Sequence, residues 1–435
     1  MRGLLEGLKE LKRYPSAVAG LALITGLVGL ALYAMIAIPY GEAIRLWRGG
    51  EGVWAENPRN ALPAWVNLFS GTKLPETMAL GTESGARKSV ETLPGGLKAV
   101  EVSIPFDYNY DDFPSELAIF LEAKNEERKP NVSLFWLTPD GRRVPLGEQS
   151  PGASERYSLS LDSRLTQRLG GLAAEVGLFT DPAAARSGPQ KGRYGLVVEG
   201  LLFEKDADLD ARLVVYGKVH GLAGTDHRRR DLTVALLWGA PIALAFGLLA
   251  ALGSTIITLV IAALGAWYGK TIDAVIQRVT EVNAILPTLP ILILVGTFYS
   301  RSIWVMLGVL ILLGIFSLGI KTYRAIFLQI KDAPYIEAAK AYGAGDLRIV
   351  FLYMVPRVLP ILVPGFVTLI PSIVFLEAAL AVLGLGDPVL PTWGKVLNEA
   401  FENGALYKGY YYWVLEPSVL LMLTGLGFAM LGFAL

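Results

Sequence analysis

Apolar and polar positions divide this chain into three zones. From Ser16 to Ile38 the sequence is apolar for about 23 residues, enough for a helix across a bilayer core. Through residues 40–230 charges return and no apolar run reaches that length. From Leu232 the apolar runs resume, at about 232–268, 282–299, 303–320, 358–385 and 414–435. The first of these is too long for one simple crossing, so it is either a tilted, projecting helix or two spans.

The middle zone carries a different period. From about Leu97, short β-like runs are split by turn residues. Val132–Leu137 alternates in part and runs into Pro139-Asp140-Gly141 before Arg143–Leu146. Tyr194–Phe203 and Ala211–Val219 are rich in Val, Leu and Tyr, with Lys205, Asp206, Ala207 and Asp208 between them. Several short strands with turn signals predict an all-β, sandwich-like domain over residues 88–218, after a linker at 41–87.

Charge orients these zones. Arg2, Lys9, Lys12 and Arg13 precede the first run and place the N-terminus in the cytoplasm. A cleaved signal peptide is the competing reading, but its apolar region would be shorter and a small-residue cleavage site would follow. The chain is therefore expected to keep 1–40 as a cytoplasmic N-terminus and first transmembrane helix, with the β domain extracytoplasmic. Lys321, Arg324, Lys331, Lys340, Arg348 and Arg357 crowd the loop before the 358–385 run, whereas 386–413 holds only Lys395 and Lys408. Placing the basic loop inside requires an even number of preceding spans, hence six spans in all and both termini inside. Arg228, Arg229 and Arg230 fall on the outer side, where a long translocated domain follows the rule weakly.

Composition narrows the chemistry. Of 435 residues 53% are hydrophobic, and mean hydropathy is +0.46, as for several spans plus one polar domain. The 39 Lys and Arg balance 39 Asp and Glu, so nothing points to nucleic acid. There is no Cys, which excludes disulfides, Cys-ligated zinc, iron–sulfur clusters and thiol catalysis. His220 and His227 are the only histidines, too few for a His-rich metal site.

The loop at 332–364 is the most distinctive segment. Asp332 is expected to cap a helix with Pro334 in its first turn. Ile336-Glu337-Ala338-Ala339-Lys340 continues it, and the small Ala338 and Ala339 offer a face that another surface can approach. Gly343 suits a helix end. Asp346 is expected to cap a second helix with an apolar stripe at Leu347, Val350, Phe351 and Met354, ended by Pro356. On pattern alone this is equally an ordinary cytoplasmic helical hairpin.

Glu337-Ala338-Ala339, then Gly343 and Pro356, resembles the EAA loop of ATP-binding-cassette importer permeases. Gly224-Thr225-Asp226 with Arg230-Asp231 resembles the GTDxxGRD segment before the second span of peptide-type permeases. Leu376-Glu377-Ala378, Leu383-Gly384-Leu385-Gly386 and Pro391-Thr392-Trp393-Gly394 are similar to the ESLSFLGLG and PSWG region of the same family. The resemblance covers about residues 1–75 and 220–435, and points to the second permease subunit of dipeptide or oligopeptide importers. It departs at Arg229, where the family usually has Gly, and at the β insertion, which ordinary members lack.

The resemblance implies a mainly α, polytopic membrane protein with about six transmembrane helices in a type I permease fold, its core at 219–435. It implies no catalytic site in this chain. ATP and Mg would be bound by two partner ATPases that hold the EAA loop. A homologous second permease would complete the path, an extracytoplasmic solute-binding protein would deliver solute, and the lipid bilayer surrounds the spans. The solute would be a di- or oligopeptide, or alternatively an oligosaccharide.

Other candidates weigh less. Gly265 to Thr271 (GAWYGKT) has three residues between its glycines where a P-loop needs four, and no strand precedes it. Glu377 lies in an apolar run after Pro371, and either lines a path or hydrogen-bonds a neighbouring helix. Pro287 and Pro290 interrupt a span. Asp107, Asp111 and Asp112, like Asp206, Asp208 and Asp210, read as solvated turns before calcium ligands, since neither follows an EF-hand loop. Asn131-Val132-Ser133 is a sequon. Tyr407, Tyr410, Tyr411, Tyr412 and Trp413 suit an interfacial aromatic belt. Two other classes remain: a membrane-anchored binding or sensor protein, and an ion-driven transporter, which would need more buried ionisable residues than Glu377.

Overall fold

A computed structural model describes residues 14–82, 85–94, 97–126, 128–181 and 188–433. The basic N-terminal residues Arg2, Lys9, Lys12 and Arg13 lie outside the described residues. The chain forms two compact units. One joins the N-terminal stretch up to Arg48 with Val234–Leu435; the other is Gly49–Thr233.

The helical unit begins with α1, Pro15–Ala37, and a short α2, Tyr40–Arg48. The long apolar run is one helix, α3, Leu232–Tyr268. Its 37 residues extend about 55 Å, against a hydrocarbon core of about 30 Å. It is thus a single over-long helix and not two spans. Helices α4, Lys270–Ile285, and α5, Thr288–Phe298, meet at a 76° bend. Leu286, before Pro287, is extended, the conformation a following proline imposes. Helices α6, Ile303–Ile315, and α7, Gly319–Lys331, meet at 47°. Then come α8, Pro334–Ala341, α9, Val355–Leu380, α10, Trp393–Glu402, and α11, Tyr411–Gly432.

Among the described residues four helical stretches are long and apolar enough to cross a membrane: α1, α3, Asp346–Leu385 and α11. Counting each bent pair as one span gives six. Glycines set the closest helix contacts. A Cβ on Gly20 of α1 would lie 2.7 Å from the Gly427 carbonyl oxygen of α11. One on Gly247 of α3 would lie 2.8 Å from Val374 of α9. Small residues of this kind let helix backbones approach where lipid supplies no hydrophobic drive.

Among the described residues the other unit has nine strands. They are β1, Met78–Gly81; β2, Arg87–Thr92; β3, Lys98–Tyr108; β4, Glu116–Lys124; β5, Asn131–Leu137; β6, Arg143–Gln149; β7, Glu155–Ser158; β8, Gly192–Leu202; and β9, Asp208–Tyr216. One sheet is ordered β1-β9-β4-β7 and the other β2-β3-β8-β5-β6, all pairs antiparallel. Alternate residues of both sheets enter one core: Val100, Val102, Ile104 and Phe106 of β3, Leu117, Ile119 and Leu121 of β4, Trp136 of β5. Period-two alternation makes each strand amphipathic, which is why two sheets close on each other. The segment read as a linker contributes β1, and its Ala55 carbonyl accepts the Tyr216 hydroxyl of β9.

Candidate functional site

The loop between α7 and α9 is built on backbone geometry. Asp332 ends α7 and does not cap α8. Ala333 takes the cap position in an extended conformation (φ −74°, ψ 141°) with no side-chain cap, because a residue before proline is excluded from the helical region. Pro334 opens α8, where its missing N–H costs nothing. Gly343 ends it at φ +78°. The Gly343 N–H donates to the Lys340 carbonyl at 2.9 Å, and the Ala344 N–H to the Ala339 carbonyl at 3.0 Å. This bond pair is a Schellman motif, which needs a left-handed residue at the position Gly343 holds.

Helix α8 buries Ile336 and Ala339 and exposes Glu337 and Ala338. The expected small-residue face is therefore Ala338 alone, since Ala339 packs inward. Asp346 is the first residue of the next turn, after an extended Gly345, and its carboxylate makes no cap bond. Ile349–Met354 is a wider π turn; the Val355 N–H donates to the Val350 carbonyl five residues back. Widening rotates the stripe. Ile349, Val350 and Met354 are buried, whereas Leu347 and Phe351 are exposed, so the expected four-residue stripe does not hold. Pro356 does not end a helix either. It sits in the first turn of α9, and the helical path runs on past Leu380 until Gly384 breaks it. The π turn shifts the bonding pattern just where proline offers no N–H.

A second constellation lies at the far end of α9. Pro371 and Glu377 are buried within it. Gly384 leaves the helix at φ +81°, and a Cβ on Gly386 would press to 3.0 Å from that of Ala381. The Trp393 indole donates to the Leu236 carbonyl of α3 at 2.9 Å. A Cβ on Gly239 would lie 2.2 Å from the Trp393 ring, and one on Gly394 2.7 Å from Ala378 of α9. Asp387 was missed in the sequence. Its carboxylate accepts the Ile303 N–H at the start of α6 at 2.9 Å and the Val389 N–H at 2.8 Å. An Asp-Pro pair is a turn signal, but nothing local announces that it caps a helix 84 residues away.

The third constellation is in the β unit. Asp226 is fully buried and accepts the Arg228 and Arg230 backbone N–H groups at 2.8 and 2.9 Å and the Arg230 guanidinium at 2.6 Å. The Thr225 hydroxyl donates to the Pro58 carbonyl at 2.8 Å and accepts the Ala61 N–H at 2.9 Å. Gly224 (φ +70°) presents its carbonyl to the Leu232 N–H, and the Asp231 carboxylate accepts the Thr233 N–H at 2.8 Å. Arg229 stands at φ +66°, a left-handed backbone that favours glycine. Here the strained arginine is 1% exposed. Its guanidinium donates to the Asn57 carbonyl at 2.6 Å and to Glu116, and lies 4.5 Å from the Tyr216 ring centroid. Beside this segment, burial lowers the His220 pKa, opposed by the charge of Asp231.

Within the acidic clusters Asp111 pairs with Lys191, Asp112 with Lys218, and Asp208 and Asp210 with Lys88. Among the described residues no group of His, Asp and Glu is placed to hold a metal. Asn131 opens β5 and is exposed. Tyr407 and Tyr411 are exposed, Tyr412 and Trp413 buried.

Residues 254–435 match the family of binding-protein-dependent transport system inner membrane components. A dipeptide transport system permease protein of Alkalihalophilus pseudofirmus is 31% identical over 214 residues, 48% of this chain and 68% of that protein. The chain belongs to this family. A glutathione transport system permease protein of Pectobacterium atrosepticum is 30% identical over 212 residues, 48% of this chain and 68% of the relative. A peptidoglycan transport system permease protein of Agrobacterium fabrum is 29% identical over 189 residues, 41% of this chain and 47% of the relative. The chain thus spans between about half and two thirds of the length of the relatives it matches. The first constellation lies within the residues that match this transport family, as does the second apart from Leu236 and Gly239 of α3, and the β strands lie outside them.

Proposed function

We propose that this chain is the permease subunit of an ATP-binding-cassette importer for short peptides, coupled to partner ATPases through α8. The observation that carries the reading is the α8 element itself: a short helix with rigid ends at Pro334 and Gly343, Ile336 and Ala339 held in the protein, Glu337 and Ala338 exposed. Such a compact knob transmits a push with little loss. Family membership supports the same role, and the dipeptide and glutathione permeases among the relatives favour peptides as cargo. ATP and Mg would sit in the partner ATPases, and a second permease would complete the path.

Counting each bent pair as one span gives six, with α8 and both termini on the cytoplasmic side by charge bias. The β unit would then lie outside, where we propose that it meets the solute-binding protein. A chain lacking residues 88–216 is expected to lose that docking; unchanged docking and uptake would contradict it.

The coupling role is tested in vesicles with the partner subunits and a labelled dipeptide. Gly343→Pro is incompatible with φ +78°, and Glu337→Lys reverses the exposed charge. Both are expected to insert normally and to abolish ATP-driven uptake. Normal uptake by both would sink the docking role.

A further inference from the structure

We propose that Trp267 is a positioning residue that locks the α8 element to the end of α3, so that the two move as one body. This inference rests on the coupling role proposed for α8. The last carbonyls of a helix have no partner within it and carry its negative dipole end. At the end of α3 the Ala266 and Trp267 carbonyls accept the Lys331 ammonium at 2.9 and 2.7 Å. Lys331 is the last residue of α7, two residues before Ala333 turns the chain into α8.

The Trp267 side chain adds a second bond of a different kind. Trp267 is 8% exposed, and two ammonium groups lie over its ring, Lys331 at 5.7 Å and Lys340 at 4.6 Å from the centroid. A cation over an indole face is attracted by the ring quadrupole, most strongly for Trp. Lys340 belongs to α8 itself, next to the Gly343 turn. Ile336 and Ala339 of α8 share one buried cluster with Trp267, Ala263 and Ala266. Beyond Trp267 the chain reverses through Gly269 (φ +62°) and Lys270 (φ +46°), so α3 ends at a fixed point against which α8 bears. The failed P-loop at Gly265–Thr271 thus has a structural purpose.

A plain core tryptophan would need neither lysine, which gives the test its leverage. The chain has no cysteine, so spin labels can be placed at two introduced sites, Ile256→Cys on α3 and Tyr342→Cys at the end of α8, both exposed. The full chain is assembled with its ATPases and second permease in nanodiscs, and the interspin distance is read without nucleotide and with MgATP trapped by vanadate. In the otherwise unaltered chain the distance is expected to be the same in both states. With Lys340→Gln or Trp267→Leu it is expected to shift or broaden on trapping, and Lys340→Arg should restore the single distance. An unchanged distance in Lys340→Gln and Trp267→Leu would overturn the inference, as would a shift without either substitution. Failure of the unaltered chain to assemble with any ATPase would overturn the coupling role, and this inference with it.

Discussion

Glycines admit close approach in both units, Gly200 and Gly217 of the β unit among them, but the two units differ in what fills the rest of the space. In the helical unit the tightest contacts are made by what is missing: Gly239 admits the Trp393 ring, Gly394 admits Ala378, and Gly425 admits Phe375, each with less than 3 Å for a Cβ. In the β unit large rings fill the space. Phe106, Tyr108, Trp136, Phe179 and Tyr194 form one nest, with Tyr108 and Phe179 centroids 4.5 Å apart. Lipid gives apolar side chains no reason to leave it, so helices gain from backbone proximity and dispersion. Water gives aromatic surface every reason to be buried. The two halves should therefore fail differently under mutation.

The largest effect expected is from Trp136→Ala, fully buried in the nest. It should cost about 3–5 kcal/mol of β-unit stability, read as loss of the unit's own melting transition while the helical unit keeps its own. Gly239→Val should cost about 1–3 kcal/mol by overpacking, in the helical transition, whereas Gly308→Ala, with nothing within 4 Å of the added Cβ, should leave it unmoved. A single transition shifted alike by Trp136→Ala and Gly239→Val would erase the contrast.

Arg229 sharpens the comparison at one residue. Arg229→Ala loses the guanidinium contacts and keeps a Cβ at positive φ; Arg229→Gly loses the same contacts and relieves the strain. The glycine variant should be the more stable by about 1 kcal/mol in denaturant melts, and equal stability would mean the left-handed backbone costs little here.

The smallest effect concerns His220. Burial holds its pKa below the usual value near 6.5. The unfolded segment therefore binds a proton that the folded one refuses, and stability falls as pH drops from about 6.5 toward the folded value. Protection factors across residues 217–233, taken from amide exchange corrected for its intrinsic pH dependence, should fall on acidification through that window, and His220→Gln should flatten the dependence. An unchanged slope in His220→Gln would assign it to another group.

What the sequence made legible follows the same division. Apolar runs marked the four long apolar stretches but not the amphipathic α4, and 232–268 coincides with α3 because a helix in lipid needs only continuous apolarity. The bends were less legible: Pro287 signalled one, but the break between Ile315 and Gly319 has no proline. In the 332–356 loop Gly343 and Pro334 were readable because each acts through its own backbone. The caps at Asp332 and Asp346 were misread because Ala333 and Gly345 already hold the extended turn. The stripe failed because a π turn changes the period. Asp387, Trp267 and the partners of Arg229 depend on groups distant in sequence, which no local pattern carries.

The central claim is that α8 is where an ATP-driven partner attaches. It is tested most directly by replacing Tyr342, 92% exposed at the end of α8, with the photo-crosslinking residue p-benzoylphenylalanine and irradiating native membranes. The expected adduct is one subunit carrying a P-loop nucleotide-binding motif, with a yield that changes when MgATP is trapped by vanadate. A crosslink only to lipid, or to a protein without that motif, would contradict the account.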